Sequence, residues 1–81
     1  MADEQLSDRI ERLVAEEQPL FHRGDSQHGL ADADHRRLES IRLELDQCWD
    51  LLRQRRALRR AGRDPETASP RSSDTVDHYL Q

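Results

Sequence analysis

Lysine is missing from this 81-residue chain, so every one of its thirteen basic residues is arginine. A GC-rich coding genome accounts for that as readily as a need for guanidinium chemistry does. Cysteine is nearly missing too. Cys48 stands alone, which rules out an intrachain disulfide and any covalent substitute for a hydrophobic core, and fits a reducing compartment. Trp49, Phe21 and Tyr79 are the only aromatic residues, too few to build a stacking platform for RNA or single-stranded DNA. No apolar run approaches membrane-spanning length, and the acidic start MADEQLSDRIERL lacks the basic and apolar regions of a secretory signal. The expected location is therefore cytoplasmic. Leu, Ile, Val and Phe together number sixteen, just under a fifth of the chain, so the core must be thin. Compositions this lean become disordered when net charge is high. Here the charge is only −4, and periodicity decides.

That periodicity is helical. Leu6, Ile10, Leu13, Val14, Leu20 and Phe21 recur at three- and four-residue spacing, predicting a first helix over about 4–22 with Asp3 or Ser7 as cap. Pro19 lacks an amide hydrogen and crowds the carbonyl of Ala15. The helix is expected to continue past it with a kink, because Leu20 and Phe21 hold the apolar phase. Gly24, Asp25, Ser26 and Gly29 mark a turn over about 23–32. A second helix is predicted over about 33–61, capped by Asp32 or Asp34, with Leu38, Ile41, Leu45, Cys48 and Leu52 in alternating steps and Gly62 as its left-handed terminator. Asp64-Pro65-Glu66 resembles a further cap with proline at the first helical position. Val76, Tyr79 and Leu80 share one face of a possible last short helix capped by Ser72 or Ser73.

The predicted architecture is all-α: a helical hairpin over 1–62 and a tail over 63–81 carrying a short helix. Antiparallel pairing sets Leu6 near Leu52, Ile10 near Cys48, Leu13 and Val14 near Leu45, and Leu20 near Leu38. Trp49, Leu51 and Leu58 lie beside this seam, and soluble monomers seldom leave such a patch open. Either a second hairpin covers it, giving a homodimeric four-helix bundle, or the tail does. Glu17 and Arg55 interrupt the seam as polar residues, of the kind that fix register or partner choice.

Six arginines (Arg53, Arg55, Arg56, Arg59, Arg60 and Arg63) and no acid fall between Leu51 and Arg63, whereas the first seventeen residues carry six acids. Such a basic helix end can contact phosphates. It can equally suit the helix dipole and face an acidic segment. Of the four histidines (His22, His28, His35 and His78), no pair has the i, i+4 spacing of helical metal ligands, so no metal or other cofactor is expected. Cys48 on the seam reads as a small buried hydrophobe. Neither a phosphate-cradling loop nor a nucleophile paired with a base occurs, and a two-helix hairpin offers little concave volume. The expectation is a non-enzymatic protein that acts by binding another protein, or alternatively a nucleic-acid or ribosome-associated protein using the arginine-rich end.

The run LDQCWDLLRQRRALRRAGRDPETA from Leu45 to Ala68, with IERLVAEEQ near the start and VDHYLQ at the end, resembles the small actinobacterial proteins of the domain of unknown function 2630 family. Its most specific part is the stretch from Asp46 to Arg56. The resemblance covers nearly the whole chain and implies an actinobacterial origin, but brings no assigned activity or cofactor. It directs attention to Gln47, Trp49, Asp50, Arg53 and Arg56, which together with Arg59, Arg60 and Arg63 form the candidate interaction surface. Trp49 is its natural anchor, since Trp and Arg are common hot spots; the plainer role is closing the hairpin or dimer core.

Overall fold

Two helices and one short 3-10 turn make up the computed structural model, which describes residues 2–24 and 30–71. α1 runs over Asp3–Gly24 and α2 over Asp32–Arg60, with no strand among the described residues. The two pack as an antiparallel hairpin. Cross-helix ion pairs show the direction, because Asp3, Arg9, Glu16 and Arg23 on α1 meet Arg55, Glu44, Arg37 and Asp34 in turn on α2.

Helix ends follow local chemistry, with two departures from expectation. At the start of α1 the Ala2 amide donates to Gln5 Oε1 at 2.8 Å, the returning half of a capping box. Asp3 stands inside the helix and turns its carboxylate to α2. α2 is entered from Ala31 with no side-chain cap. Asp32 and Asp34 occupy its first turn instead, favourable to the dipole. α1 passes through Pro19 to Gly24, and Leu20, one residue later, is buried in the core.

The end of α2 is a complete Schellman motif. Gly62 has φ 71°, its amide donates to Arg59 O at 3.0 Å, and the Arg63 amide donates to Leu58 O at 2.8 Å. A Cβ at Gly62 would meet nothing within 4 Å, so only backbone conformation opposes a side chain. Gly62→Ala is therefore expected to cost about 1 kcal/mol, measurable by urea denaturation; no loss would show that the chain leaves the left-handed region without penalty.

The core is one cluster of Leu6, Ile10, Leu13, Leu20, Leu38, Ile41, Leu45, Cys48 and Leu52, with Leu30 and Leu51 packed against it. These are the predicted apolar stripe residues, less Val14 and Phe21. Val14 is 37% and Phe21 53% exposed, because each stands about 100° around the helix from its buried neighbour and one partner helix covers only one stripe.

Beyond Gly62 the chain forms a 3-10 turn, Pro65–Thr67, in which Asp64 accepts from the Glu66 amide at 3.0 Å, as the Asp-Pro-Glu pattern predicts. Residues 63–71 then run back along α2. The predicted last helix with Val76, Tyr79 and Leu80 lies outside the described residues, as do residues 25–29 of the predicted turn.

Candidate interaction surface

Residues one place before a seam position and residues one place after it point to opposite flanks of an antiparallel pair, since each step turns about 100°. Arg9, Glu16, Arg37, Glu44 and Leu51 each precede a seam residue. Arg9 Nη2 meets Glu44 Oε2 at 3.4 Å, and Arg37 Nη2 donates to Glu16 Oε1 at 2.9 Å. These contacts close the first flank across the helices.

The returning segment covers that same flank and the back of α2. Gln47 Nε2 donates to Arg71 O at 3.3 Å, and Gln54 Nε2 donates to Ser69 O at 2.9 Å. Pro70 lines a small pocket of about 160 Å³ with Leu6, Cys48 and Leu51. Asp50, only 1% exposed, anchors the end: Arg71 Nε and Nη2 each stand 2.9 Å from one of its carboxylate oxygens, and Gln54 donates to it at 2.9 Å. The buried carboxylate has a bidentate guanidinium partner, the geometry that makes such pairs strong.

A second buried ionic group closes the far end of the hairpin. Arg55 donates to Asp3 Oδ1 at 2.5 Å and, through Nη1, to Pro65 O and Glu66 Oε1 at 3.2 Å each. Arg59 joins it on the other oxygen of Asp3 at 2.5 Å. One arginine thus ties α1, α2 and the 3-10 turn together. The other polar seam residue, Glu17, meets Arg42 at 3.6 Å.

Hydrogen bonds from Arg59 and then Arg55 hold the Asp3 carboxyl below its ordinary range. A carboxylate with a depressed folded value contributes stability above its unfolded pKa, near 3.8, and loses it as pH falls through the folded value. Asp3→Asn is expected to destabilise the hairpin at neutral pH, with the gap to wild type closing below about pH 4. Thermal melts across that range check this; a gap independent of pH would contradict it.

The candidate residues therefore divide. Gln47 and Asp50 face inward and hold the returning segment, and Arg59 is engaged with Asp3. Trp49, Arg53, Arg56 and Arg60 each follow a seam position and remain exposed. Arg53 makes only a 3.9 Å contact to Asp50, and Arg63 lies past the helix end, exposed. Gln54 and Arg71 belong to these networks without having been singled out, and Asp3 and Glu66 had been read only as parts of helix caps. The signal for Asp3 was the unmatched Arg55 on the seam; nothing in spacing marked Arg71.

Trp49, 46% exposed, shares the second flank with Val14 and Phe21. No described element covers that flank. Its apolar residues are accompanied by Ser7, Gln18, Glu4 and Glu11 on α1 and by Glu39, Arg42, Asp46, Arg53, Arg56 and Arg60 on α2.

The interior offers little reactive chemistry. Burial pushes the Cys48 thiol up, which disfavours the nucleophilic thiolate. A groove of about 500 Å³ between α2 and the returning segment is lined in part by Ala57, Leu58, Ala61 and Ala68, and its one carboxylate, Asp50, is already bonded to Arg71 and Gln54. No helix of the described residues is long and apolar enough to cross a membrane.

Among known proteins, the chain is 47% identical over 79 residues to the uncharacterized protein Rv0898c of Mycobacterium tuberculosis strain H37Rv, covering 95% of this chain and 88% of the relative. The uncharacterized protein Mb0922c of Mycobacterium bovis matches with the same identity and coverage. No solved structure matches. The family model described as "Protein of unknown function (DUF2630)" spans residues 2–81, and the chain belongs to that family.

Proposed function

We propose that this protein is a non-catalytic, cytoplasmic interaction module, a helical hairpin that presents the flank around Trp49 to another protein. The observation that carries this reading is the asymmetry of the two flanks. One is closed by ion pairs and the returning segment; the other leaves a tryptophan, a phenylalanine and a valine open beside arginines. Tryptophan and arginine are enriched among the few residues that dominate binding energy at protein interfaces. A non-catalytic role is supported by the engaged Asp50 carboxylate and the buried Cys48 thiol.

A photo-crosslinking amino acid placed at position 49 in mycobacterial cells tests the reading, with position 36, exposed at the far end of α2, as the control. Discrete adducts are expected from 49 and not from 36. No adduct at 49, or the same adducts from both, would refute it.

One observation favours a second reading, binding of nucleic-acid phosphates. Arg56, Arg60 and Arg63 have no ion-pair partner among the described residues. This reading expects DNA or RNA affinity that falls steeply with salt and disappears in Arg56→Glu/Arg60→Glu; binding unchanged by that variant would discard it.

A further inference from the structure

Resting on the reading above, we infer that the occupant of the open flank is a second copy of this chain, packed flank to flank about a two-fold axis parallel to the helices. The argument is one of charge and register. On this flank α1 carries the acids Glu4 and Glu11 and no base, whereas α2 carries Arg42, Arg53, Arg56 and Arg60 against the acids Glu39 and Asp46, with Glu39 at the end of α2 away from Arg53, Arg56 and Arg60. Glu4, Glu11, Arg56 and Arg60 are exposed and have no ion-pair partner among the described residues.

A two-fold rotation about an axis along the helices preserves height along them. It sets α1 of one copy on α2 of the other, antiparallel, at the levels already fixed within the hairpin by Asp3 with Arg55 and Arg9 with Glu44. Glu4 then comes to the level of the partner's Arg53 and the partner's Arg56, and Glu11 falls between the partner's Arg42 and the partner's Arg53. An in-plane axis across the helices would instead stack α1 on α1 and the arginine-rich α2 on α2, bringing like-charged helices together.

The apolar residues fit the same arrangement. Val14, Phe21 and Trp49 lie on the joined face and become the second seam of a four-helix bundle in which every neighbouring pair is antiparallel. With α1 22 residues long, the overlap is about 33 Å by two helix widths, on the order of 600 Å² per protomer. Two such faces reach the lower edge of stable protein interfaces, so the dimer is expected to be concentration-dependent.

The test is a charge exchange between two variants. Glu4→Arg/Glu11→Arg sets base on base in its own dimer, and Arg53→Glu/Arg56→Glu sets acid on acid. Mixed one to one, each α1 meets an α2 of opposite charge. Sedimentation equilibrium at concentrations on the order of 100 µM, above the micromolar constants that modest interfaces reach, is expected to show dimeric wild type, monomeric single variants and a heterodimer in the mixture. Circular dichroism is expected to show both variants as helical as wild type. Wild type that remains monomeric, variants that still dimerise, or helical variants that fail to pair when mixed would each overturn the inference. Adducts from position 49 to another protein, with a monomeric wild type, would overturn the self-pairing while leaving the interaction-module reading standing.

Discussion

Ile41→Ala is expected to remove about 2 to 5 kcal/mol of stability, the range for truncating a large buried aliphatic side chain where neighbours cannot collapse to fill the space. Ile41 is 0% exposed and sits within the single cluster that joins α1 to α2. A domain of this length holds on the order of 4 to 12 kcal/mol in total, so the loss is a large share of what keeps the hairpin folded. No disulfide offsets it, since the lone cysteine is free. Ile41→Leu conserves volume and is expected to cost less than about 1.5 kcal/mol. Urea titrations followed by circular dichroism separate the two; an alanine variant within about 1 kcal/mol of wild type would mean that the seam is not the stabilising core.

The second large effect is expected at Asp50. Its carboxylate is buried under Arg71 and Gln54, and Asp50→Ala strips the returning segment of this acidic anchor on α2. Arg71 is about one-third exposed and can turn to water, so the expected cost is about 2 to 3 kcal/mol, below that of stranding a fully buried charge. The local consequence is more specific than the global one. The hydrogen bonds from Gln47 and Gln54 to residues 69–71 are neutral, and trypsin cleavage after Arg63 and Arg71 is expected to accelerate while α1 and α2 remain helical. Cleavage unchanged in the variant would show that the segment is held elsewhere.

Most of the fold was legible because helical seams announce themselves by spacing. Leu6, Ile10, Leu13 and Leu20 on α1 and Leu38, Ile41, Leu45, Cys48 and Leu52 on α2 fall on such a stripe, and all of them are buried. Gly62 and Asp64-Pro65 act through local backbone chemistry, which sequence carries directly. Val14 was misplaced in the seam because periodicity defines a stripe but not its width, and one partner helix buries a narrow one. The N-cap of α2 was misread for a related reason: Asp32 and Asp34 satisfy the composition of a cap, yet the geometry at Ala31 uses none of their oxygens. The candidate surface was harder still. Gln47, Asp50 and Trp49 are close neighbours in sequence, but the helix sends the first two beneath the returning segment and the third to the opposite flank. Only the path of residues 63–71, fixed by Arg71 on Asp50 and by Arg55 on Pro65 and Glu66, decides which arginines stay free. That path depends on contacts between residues ten to twenty-four positions apart, which no local spacing encodes.

Trp49 is the only tryptophan in the chain, so its fluorescence reports the open flank without labelling. Acrylamide quenching measured as the protein is concentrated tests the central claim most directly. If the flank is a working interface between copies, Trp49 is half-open in dilute solution and becomes protected, with blue-shifted emission, as concentration rises, and the charge-reversed variant Arg53→Glu/Arg56→Glu stays quenchable throughout. Quenching and emission that do not change with concentration in the wild-type protein would contradict it.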